Sequence, residues 1–219
     1  LIDHERFDDA VKSYKKAIEI NPKFYEAHNN LGQVLNILGQ FKAGVDSFKK
    51  AIEINPRFAE AYYNFGLILK ELKHFDDAIN NFHNAVSIKP DFFEALNNIG
   101  SCLSFLGRVD EAIKFYEKAL IINSDYAYAH HDLGNALILI GQSKVGVNSI
   151  EKAIEINPEF AEAHKSLGNF FKTRKQRDKS QTYYETAYKI KPDMDFLFGE
   201  ILNNQRHLCA WTDSRGSLI

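Results

Sequence analysis

The sequence predicts an all-α fold, a right-handed α-solenoid of antiparallel helix pairs. The first observation is a 34-residue period, at which prolines and glycines both recur. The second is that each period holds two segments whose apolar residues are spaced as on one face of a helix. Self-similarity at such a period is typical of repeat arrays, in which each unit packs mainly on its neighbours. The recurring positions are Pro22, Pro56, Pro90, Pro158 and Pro192, with Ser124 in the remaining slot, and Gly32, Gly66, Gly100, Gly134 and Gly168.

Composition restricts the class of protein and its partners. The chain has 219 residues, of which 45% are hydrophobic and 26% charged, as in folded proteins. A net charge of −2 argues against nucleic acid or an anionic membrane as partner, because either usually needs a basic surface. Two cysteines, Cys102 and Cys209, cannot form a disulfide framework. The longest apolar run, 136–140, is too short to cross a bilayer, and no signal peptide is recognised. We therefore expect a cytoplasmic protein.

Each repeat divides into two helices, as residues 25–58 illustrate. Ala27, Leu31 and Leu35 recur at helical spacing, and Gly39 is expected to end this first helix. The second helix begins near Phe41 and is expected to end before Asn55-Pro56, because proline disfavours helical geometry in the residue before it. Helices joined by so short a connection lie antiparallel.

Small residues predict how closely the two helices approach. A glycine inside an exposed helix costs about 1 kcal/mol relative to alanine, so a repeated glycine needs a structural reason. Close contact with the partner helix is that reason, since bulky residues recur on the second helix. The small columns are Gly32 with its four equivalents, then Ala51, Ala85, Ala119, Ala153 and Ala187, then Gly44, Ala78, Ala112, Gly146 and Ser180; the bulky column is Phe48, Phe82, Tyr116, Ile150 and Tyr184.

The period sets the predicted boundaries. Residues 1–24 form a partial repeat, in which residue 1 belongs to a first helix and Phe7 opens a complete second helix. Five full repeats follow, at 25–58, 59–92, 93–126, 127–160 and 161–194. Residues 195–219 are expected to form a capping helix and the start of a linker to a missing C-terminal region. Because a half-repeat leaves apolar surface open, self-association through the truncated N-terminal unit is a further expectation.

These columns resemble the tetratricopeptide repeat (TPR) family. The resemblance rests on the Gly32, Ala51 and Pro56 columns, the small residue at Gly44 and the aromatic residue at Phe48, and it covers residues 1–194. It implies a scaffold that binds proteins or peptides. One departure concerns the column in which the family favours a large aromatic residue; Tyr62 fits, whereas the other repeats carry His28, Leu96, His130 and His164.

A second resemblance involves residues 209–213. Cys209-Ala210-Trp211-Thr212-Asp213 is similar to the Cys-Asp-Trp-Thr-Asp-type junction of the O-linked N-acetylglucosamine transferase (SPINDLY-like) family. In that family a TPR superhelix leads into a two-lobed nucleotide-sugar glycosyltransferase region. The resemblance implies that this chain recognises substrates for a UDP-sugar-dependent protein O-glycosyltransferase whose catalytic region is absent here. The residues present contain no catalytic constellation, and no cofactor is expected.

A ladder of polar residues marks the expected binding site. Side chains beside the buried Leu31 column face the concave groove of such an array, and an asparagine amide can pair with both the N–H and the C=O of a peptide. Neighbouring first helices about 8–10 Å apart match about three residues of extended peptide at roughly 3.3 Å each. The transferase resemblance implies the same use. The candidate peptide-binding residues are Asn29, Asn30, Gln33, Tyr63, Asn64, Asn97, Asn98, Ser101, His131, Asp132 and Asn135.

Other interpretations of these residues remain open. The asparagines could instead tie helices together or face water, and a non-catalytic TPR adaptor for complex assembly would use the same groove. A carboxylate clamp is suggested only by Lys165 with Asn169. A metal site at the His28 column is disfavoured, because helices about 8–10 Å apart cannot easily bring two rings onto one ion with bonds near 2 Å.

Overall fold

The computed structural model describes residues 2–194, 197 and 199–204. All of the regular structure in this part of the chain is helical. Residues 197 and 199–204 are also helical and follow the last complete helix. The complete helices are α1 (Ile2–Ile20), α2 (Tyr25–Ile37), α3 (Phe41–Ile54), α4 (Ala59–Glu71), α5 (Phe75–Ile88), α6 (Phe93–Phe105), α7 (Val109–Ile122), α8 (Ala127–Leu139), α9 (Ser143–Ile156), α10 (Ala161–Thr173) and α11 (Arg177–Ile190).

The contacts divide the chain into two compact units at residues 123 and 124. The N-terminal unit contains α1–α7, and the C-terminal unit contains α8–α11 with the helical residues that follow. In the N-terminal unit α2, α4 and α6 are the first helices of three repeats and contact one another in sequence. In the C-terminal unit α8 and α10 are the first helices of two repeats. The predicted α-solenoid fold class, built from helix pairs, is confirmed.

A backbone turn of one kind joins the two helices of every repeat. Gly39, Gly107 and Gly141 occupy it with φ of 71°, 77° and 88°, and Lys73 and Lys175 occupy it with φ of 62° and 61°. The N–H of Gln40 donates to the carbonyl of Leu35 at 2.8 Å, which closes the end of the first helix as glycine-terminated helices commonly do. The glycine stops are thus where the sequence predicts them, and two repeats form the same turn with lysine.

The connection between repeats explains why asparagine precedes proline. Asn55 follows α3 in an extended conformation (φ −129°, ψ 91°), as expected of a residue before proline. Its side-chain Oδ1 accepts a hydrogen bond from the N–H of Arg57 at 3.1 Å. Asn21 and Asn157 accept the same bond from the residue two positions later, at 3.1 Å each. The asparagine side chain therefore stabilises the turn that proline begins.

The first and second helices of each repeat touch through the recurring glycine. A Cβ placed on Gly32 would lie 2.8 Å from the ring of Phe48, and one placed on Gly66 would lie 2.6 Å from the ring of Phe82. In the C-terminal unit the contact involves backbone, because a Cβ on Gly134 would lie 2.6 Å from the carbonyl oxygen of Gly146. No side chain larger than hydrogen fits at these positions without displacement, which is the close approach that the small columns predict.

The bulky and alanine columns form the cores of the two units. Each residue is almost completely buried, so the second helix of a repeat presents one apolar stripe to its first helix. In the N-terminal unit these residues are Phe48, Phe82, Tyr116, Ala51, Ala85 and Ala119; in the C-terminal unit they are Ile150, Tyr184, Ala153 and Ala187.

The first repeat differs from its expected form. The period predicts the end of a first helix and a turn before Phe7, whereas α1 is one continuous helix from Ile2 to Ile20. Glu5 occupies the position that glycine holds in the turns at Gly39, Gly107 and Gly141. Lysine forms the left-handed turn at the equivalent position of two later repeats, and its helix propensity is similar to that of glutamate, so residue type alone does not account for the continuous helix at Glu5.

The helical residues after α11 pack on its apolar stripe. Leu197 and Ile201 are buried against Tyr184 and Ala187. The hydroxyl of Ser180, which is fully buried, donates to the carbonyl of Gly168 at 2.9 Å and accepts from Asn204 Nδ2 at 3.1 Å. The helical residues after α11 thus provide a hydrogen-bond donor to Ser180, the one polar residue in a column of glycines and alanines.

We predict that Lys73→Gly stabilises the protein by roughly 0.5–1 kcal/mol. Lysine at φ of 62° has a left-handed backbone that costs an L-residue about 1–2 kcal/mol, and part of the gain is offset by the greater freedom of glycine in the unfolded chain. Urea unfolding followed by circular dichroism measures the change. Lys114→Gly, inside α7, is the control and should destabilise by about 1 kcal/mol. Destabilisation by Lys73→Gly would contradict the assignment of strain to this turn.

We predict that Gly134→Ala destabilises the C-terminal unit by about 1–3 kcal/mol, because the new methyl group must displace backbone rather than the end of a side chain. Thermal and urea unfolding of the two variants measure the difference. The matched control is Gly199→Ala, where a Cβ would meet nothing within 4 Å. That substitution should be neutral or stabilising, because alanine is the better helix former. Equal effects of the two substitutions would show that helix approach is not the reason for the glycine.

Candidate peptide-binding surface

The candidate residues lie on first helices in both units. Within the N-terminal unit, α2 carries three of them, α4 two and α6 three. Within the C-terminal unit, α8 carries the other three. We call the side of α2, α4 and α6 that bears these residues the first-helix surface of the N-terminal unit, and the same side of α8 and α10 that of the C-terminal unit. In chain order the residues are Asn29, Asn30 and Gln33; Tyr63 and Asn64; Asn97, Asn98 and Ser101; and His131, Asp132 and Asn135.

Two of the ladder asparagines hydrogen-bond to the preceding repeat. Asn64 Nδ2 donates to Asn29 Oδ1 at 2.9 Å, and these two side chains are only 9% and 4% exposed. Asn98 Nδ2 donates to the hydroxyl of Tyr63 at 3.4 Å and to the carbonyl of Glu94 at 2.9 Å. Lys70 Nζ donates to Asn98 Oδ1 at 2.8 Å. Asn64 and Asn98 therefore join neighbouring first helices, which is one of the alternatives that the sequence leaves open.

The C-terminal unit repeats this link with different chemistry. His131 Nε2 lies 3.0 Å from Ser166 Oγ on α10, again a step of 35 residues along the chain. The amide of Asn135 donates to the same Nε2 at 2.9 Å, so the ring proton is assigned to Nδ1, which lies 3.0 Å from Asp132 Oδ1. We call the Asn29–Asn64, Tyr63–Asn98 and His131–Ser166 hydrogen bonds the inter-repeat ties.

The order Asp132, His131, Ser166 has the connectivity of a hydrolase triad, so its chemistry must be considered. In such a triad the imidazole takes the serine proton, and backbone N–H groups stabilise the oxyanion. Here Nε2 also accepts from Asn135, and Ser166 lies inside α10, where backbone N–H groups are bonded to carbonyls of the helix. The arrangement can orient side chains, and it lacks the features that acyl transfer needs.

Burial separates the candidate residues into two groups. Asn29, Asn64, Asn97 and Asn98 are buried, whereas Gln33 is exposed. The others are half-buried: Asn30, Tyr63, Ser101, His131, Asp132 and Asn135.

Tyr63 connects the two groups. Its ring packs between Phe82 and Phe92, with centroids 5.8 Å and 4.7 Å away. Burial raises the pKa of its hydroxyl, and the charge of Glu94 raises it further. Tyr63 is therefore neutral at physiological pH, so its hydroxyl can donate a hydrogen bond while it accepts the one from Asn98.

The histidine column serves the turn between repeats. His28, His130 and His164 each place Nε2 near the carbonyl oxygen six residues earlier, at 3.2, 2.9 and 3.0 Å. Among the described residues, no group of three or more histidine, cysteine or acidic side chains could hold a metal ion. Cys102 is buried, and burial raises the pKa of its thiol to about 11, which keeps it protonated and unreactive. None of the helices in the described ranges combines the length and apolarity needed to cross a membrane.

Comparison with protein families identifies the repeat. Models described as tetratricopeptide repeat match residues 25–58, 47–80, 93–126, 127–160 and 161–194, and a model described as TPR repeat matches residues 1–36. The chain is a tetratricopeptide repeat protein. All of these models describe the TPR in general, and none is specific to the O-linked N-acetylglucosamine transferase family.

Solved structures agree on the fold of this TPR protein. YrrB, described as a TPR protein with an unusual peptide-binding site, is 21% identical, with a TM-score of 0.63 over 86% of this chain and 97% of its own. PilF of Pseudomonas aeruginosa is 19% identical, with a TM-score of 0.77 over 94% of this chain and 92% of its own. TTC0263 of Thermus thermophilus is 20% identical, with a TM-score of 0.71 over 83% of this chain and 98% of its own. No curated protein matches the chain.

The structure shows a cavity that the site predicted from the sequence does not include. A cavity of about 640 Å³ opens in the N-terminal unit, at the C-terminal ends of its first helices. Its signal in the sequence is Leu67, the apolar member of a column that otherwise reads Gln33, Ser101, Asn135 and Asn169. A second signal is Phe105, which is 68% exposed. The cavity is lined by Asn36, Leu67, Lys70, Glu71, Lys73, Phe75 and Phe105.

We predict that Asn64→Ala destabilises this TPR protein by about 1–3 kcal/mol, because it leaves the buried Oδ1 of Asn29 without its donor. Urea unfolding of Asn64→Ala, Asn29→Ala and the double variant forms a double-mutant cycle, in which the two effects should be strongly non-additive. Gln33→Ala, at an exposed position, is the control and should change stability by less than about 0.5 kcal/mol. Additive effects at residues 29 and 64 would contradict the structural role of this tie.

Proposed function

We propose that this chain is a protein-interaction scaffold in which the first-helix surface of a unit holds an extended segment of a partner protein. The observation that carries the proposal is a row of half-exposed polar groups on successive first helices that are fixed in register by the inter-repeat ties. First helices about 8–10 Å apart correspond to about three residues of extended peptide, so one peptide can meet every helix of a unit. The peptide-binding site that describes YrrB supports the same use of this fold.

The candidate residues divide between two roles in this proposal. The buried amides of Asn29, Asn64 and Asn98 set the spacing of the helices, because their hydrogen bonds lie inside the protein. The ligand is met by groups with accessible polar atoms. In the N-terminal unit these are Asn30, Gln33, Tyr63 and Ser101, whereas Asn97 is buried; in the C-terminal unit they are Asp132 and Asn135, which His131 positions through its own hydrogen bonds.

Preorganisation explains why such a surface can bind a flexible segment. The partner loses conformational entropy when it becomes ordered, so affinity depends on a receptor that loses little of its own. The ties hold Tyr63 and His131 in one orientation before a ligand arrives. Amide and hydroxyl groups then exchange water for peptide N–H and C=O groups, with little dependence on the side chains of the ligand.

The finer assignment, to the substrate-recognition region of an O-GlcNAc-transferase-like enzyme, rests on residues 209–213, which lie outside the described residues. The family matches and the structural neighbours add nothing to it, and a non-catalytic TPR adaptor accounts for the same surface. We therefore propose the scaffold function for the chain in either setting. The nucleotide sequence downstream of Ile219 distinguishes the settings, because a transferase requires a long α/β region there. Self-association through residues 1–24 and a cytoplasmic location stay predictions.

We predict that a photoreactive benzophenone amino acid at Gln33 cross-links to bound peptide, whereas the same residue at Lys49 does not. Gln33 is exposed on the first-helix surface, and Lys49 is exposed on the second helix α3. The probe is an equimolar mixture of random-sequence dodecapeptides, and mass spectrometry of the irradiated full chain measures the yield at each site. We expect at least about a tenfold difference, since a specific site concentrates peptide at one face. Equal yields at the two positions would contradict the proposed surface.

A further inference from the structure

The cavity in the N-terminal unit has an aromatic wall that remains open to solvent. The rings of Phe75 and Phe105 lie parallel, with centroids 5.1 Å apart and planes 2° apart. Phe105 is 68% exposed although it lies at the end of α6, and Leu67 contributes a partly buried floor from α4. Large exposed aromatic surface is unfavourable in water, so a concave site with such a wall favours an apolar ligand group.

The rim of the cavity carries an excess of positive charge. Lys70, Glu71 and Lys73 line it, giving a formal sum of one positive charge. Lys70 Nζ donates to Asn98 Oδ1 at 2.8 Å, whereas Lys73 is exposed in the turn at φ of 62°. Within the part of the chain that the structure describes, Lys73 forms no ion pair. A carboxylate of a ligand can therefore pair with Lys73 without displacing another anion.

This combination of residues occurs in one repeat only. The cavity takes Leu67, Lys73 and Phe75 from the repeat at 59–92. The equivalent residues are Gln33, Gly39 and Phe41 in the preceding repeat and Ser101, Gly107 and Val109 in the following one; later repeats carry Asn135, Gly141 and Ser143, then Asn169, Lys175 and Arg177. The polar groups of the first-helix surface can pair with the backbone of any peptide, whereas the cavity occurs at one repeat only. A side chain that fits the cavity can therefore fix which residue of a bound segment lies against which repeat.

We propose that this cavity is a specificity subsite, which accepts one aromatic side chain of the partner's extended segment with an acidic residue directly after it. The aromatic ring packs against the Phe75–Phe105 wall and over Leu67, where aromatic pairs gain from offset or edge-to-face contact. The acidic residue pairs with Lys73 at the rim. This subsite rests on the proposed scaffold function and names the kind of segment that the scaffold selects.

The test uses three synthetic peptides with a common sequence, Gly-Ser-Ala-Phe-Asp-Ser-Ala-Gly, and a fluorescein label at the amino terminus. In the second peptide Ala replaces Phe, and in the third Lys replaces Asp. Fluorescence anisotropy with the full chain measures each affinity. We expect the Phe-Asp peptide to bind at least about tenfold more tightly than the Ala-Asp peptide, since it buries a phenyl ring. We expect about a threefold advantage over the Phe-Lys peptide, which declines at high salt.

Two matched pairs of variants locate the effect. Phe105→Ala should abolish the preference for Phe over Ala, whereas Leu139→Ala, at the equivalent exposed position of the next repeat, should leave it unchanged. Lys73→Glu should reverse the preference for Asp over Lys, whereas Lys175→Glu, in the turn with the same backbone geometry, should not. All four positions are exposed or lie in a turn, and circular dichroism verifies that each variant keeps its helical content.

The outcomes separate the subsite from the scaffold. Equal affinity for the Phe-Asp and Ala-Asp peptides overturns the subsite, as does an undiminished preference in Phe105→Ala. Failure of all three peptides to bind also overturns it. The scaffold function survives any of these results if Gln33 still cross-links selectively to random peptides, and it fails with the subsite if that cross-linking is lost.

Discussion

The contact on which each helix pair depends is that of a glycine on the first helix with a large side chain on the second. At Gly66 and Gly100 the rings of Phe82 and Tyr116 fill the space of the missing side chain. The helices therefore lie close enough for Ala85 and Ala119 to complete a fully buried core. Because an array buries its apolar surface only between neighbours, this spacing also fixes where the first helices stand and how far apart their polar residues are.

The polar residues of the first helices act at a second level, between repeats. Asn29 with Asn64 and Tyr63 with Asn98 satisfy each other at positions where unpaired polar groups would be costly. Their burial distinguishes these residues from Gln33 and Ser101, which belong to the column one helical turn further along the first helices and are more accessible. The proposed binding surface therefore consists of accessible polar groups above a layer of hydrogen-bonded buried ones, with the apolar cavity at Leu67 among them.

Much of the fold can be predicted from the sequence, because residues with restricted or unusual backbone geometry recur at the 34-residue period. Glycine and proline restrict the backbone at fixed intervals, so the turns at Gly39 and Asn55-Pro56 and the contact of Gly32 with Phe48 can be predicted from residue type alone. The turns at Lys73 and Lys175 cannot, because lysine adopts a positive φ only where the surrounding structure imposes it. The period alone predicts these two turns, and it likewise predicts one at Glu5, where α1 is continuous instead. Lysine and glutamate have similar helix propensities, so residue type does not account for the difference.

The candidate site is less predictable than the fold. Helical spacing places Asn30, Asn64 and Asn98 in one column, yet it cannot distinguish an amide that faces water from one that bonds to the next helix. That distinction depends on where each side chain lies relative to the neighbouring helix, and Asn64 lies within hydrogen-bonding distance of Asn29, at 2.9 Å. The cavity at Leu67 depends on residues from three helices, Leu67, Phe75 and Phe105, whose proximity only the packing of α4, α5 and α6 reveals.

The inter-repeat ties also limit how the sequence of such a repeat array can diverge. The same step of 35 residues is bridged by two amides, by a phenol with an amide, and by an imidazole with a hydroxyl. Any complementary donor and acceptor can thus serve, which leaves the chemistry of the pair free to diverge while the helix spacing is kept. Each hydrogen bond joins two consecutive repeats, however. The donor and the acceptor must therefore be kept as a pair across the junction between repeats, rather than within one repeat. Shuffling whole repeats would mismatch donors and acceptors, whereas exchanging both sides of a junction would preserve them.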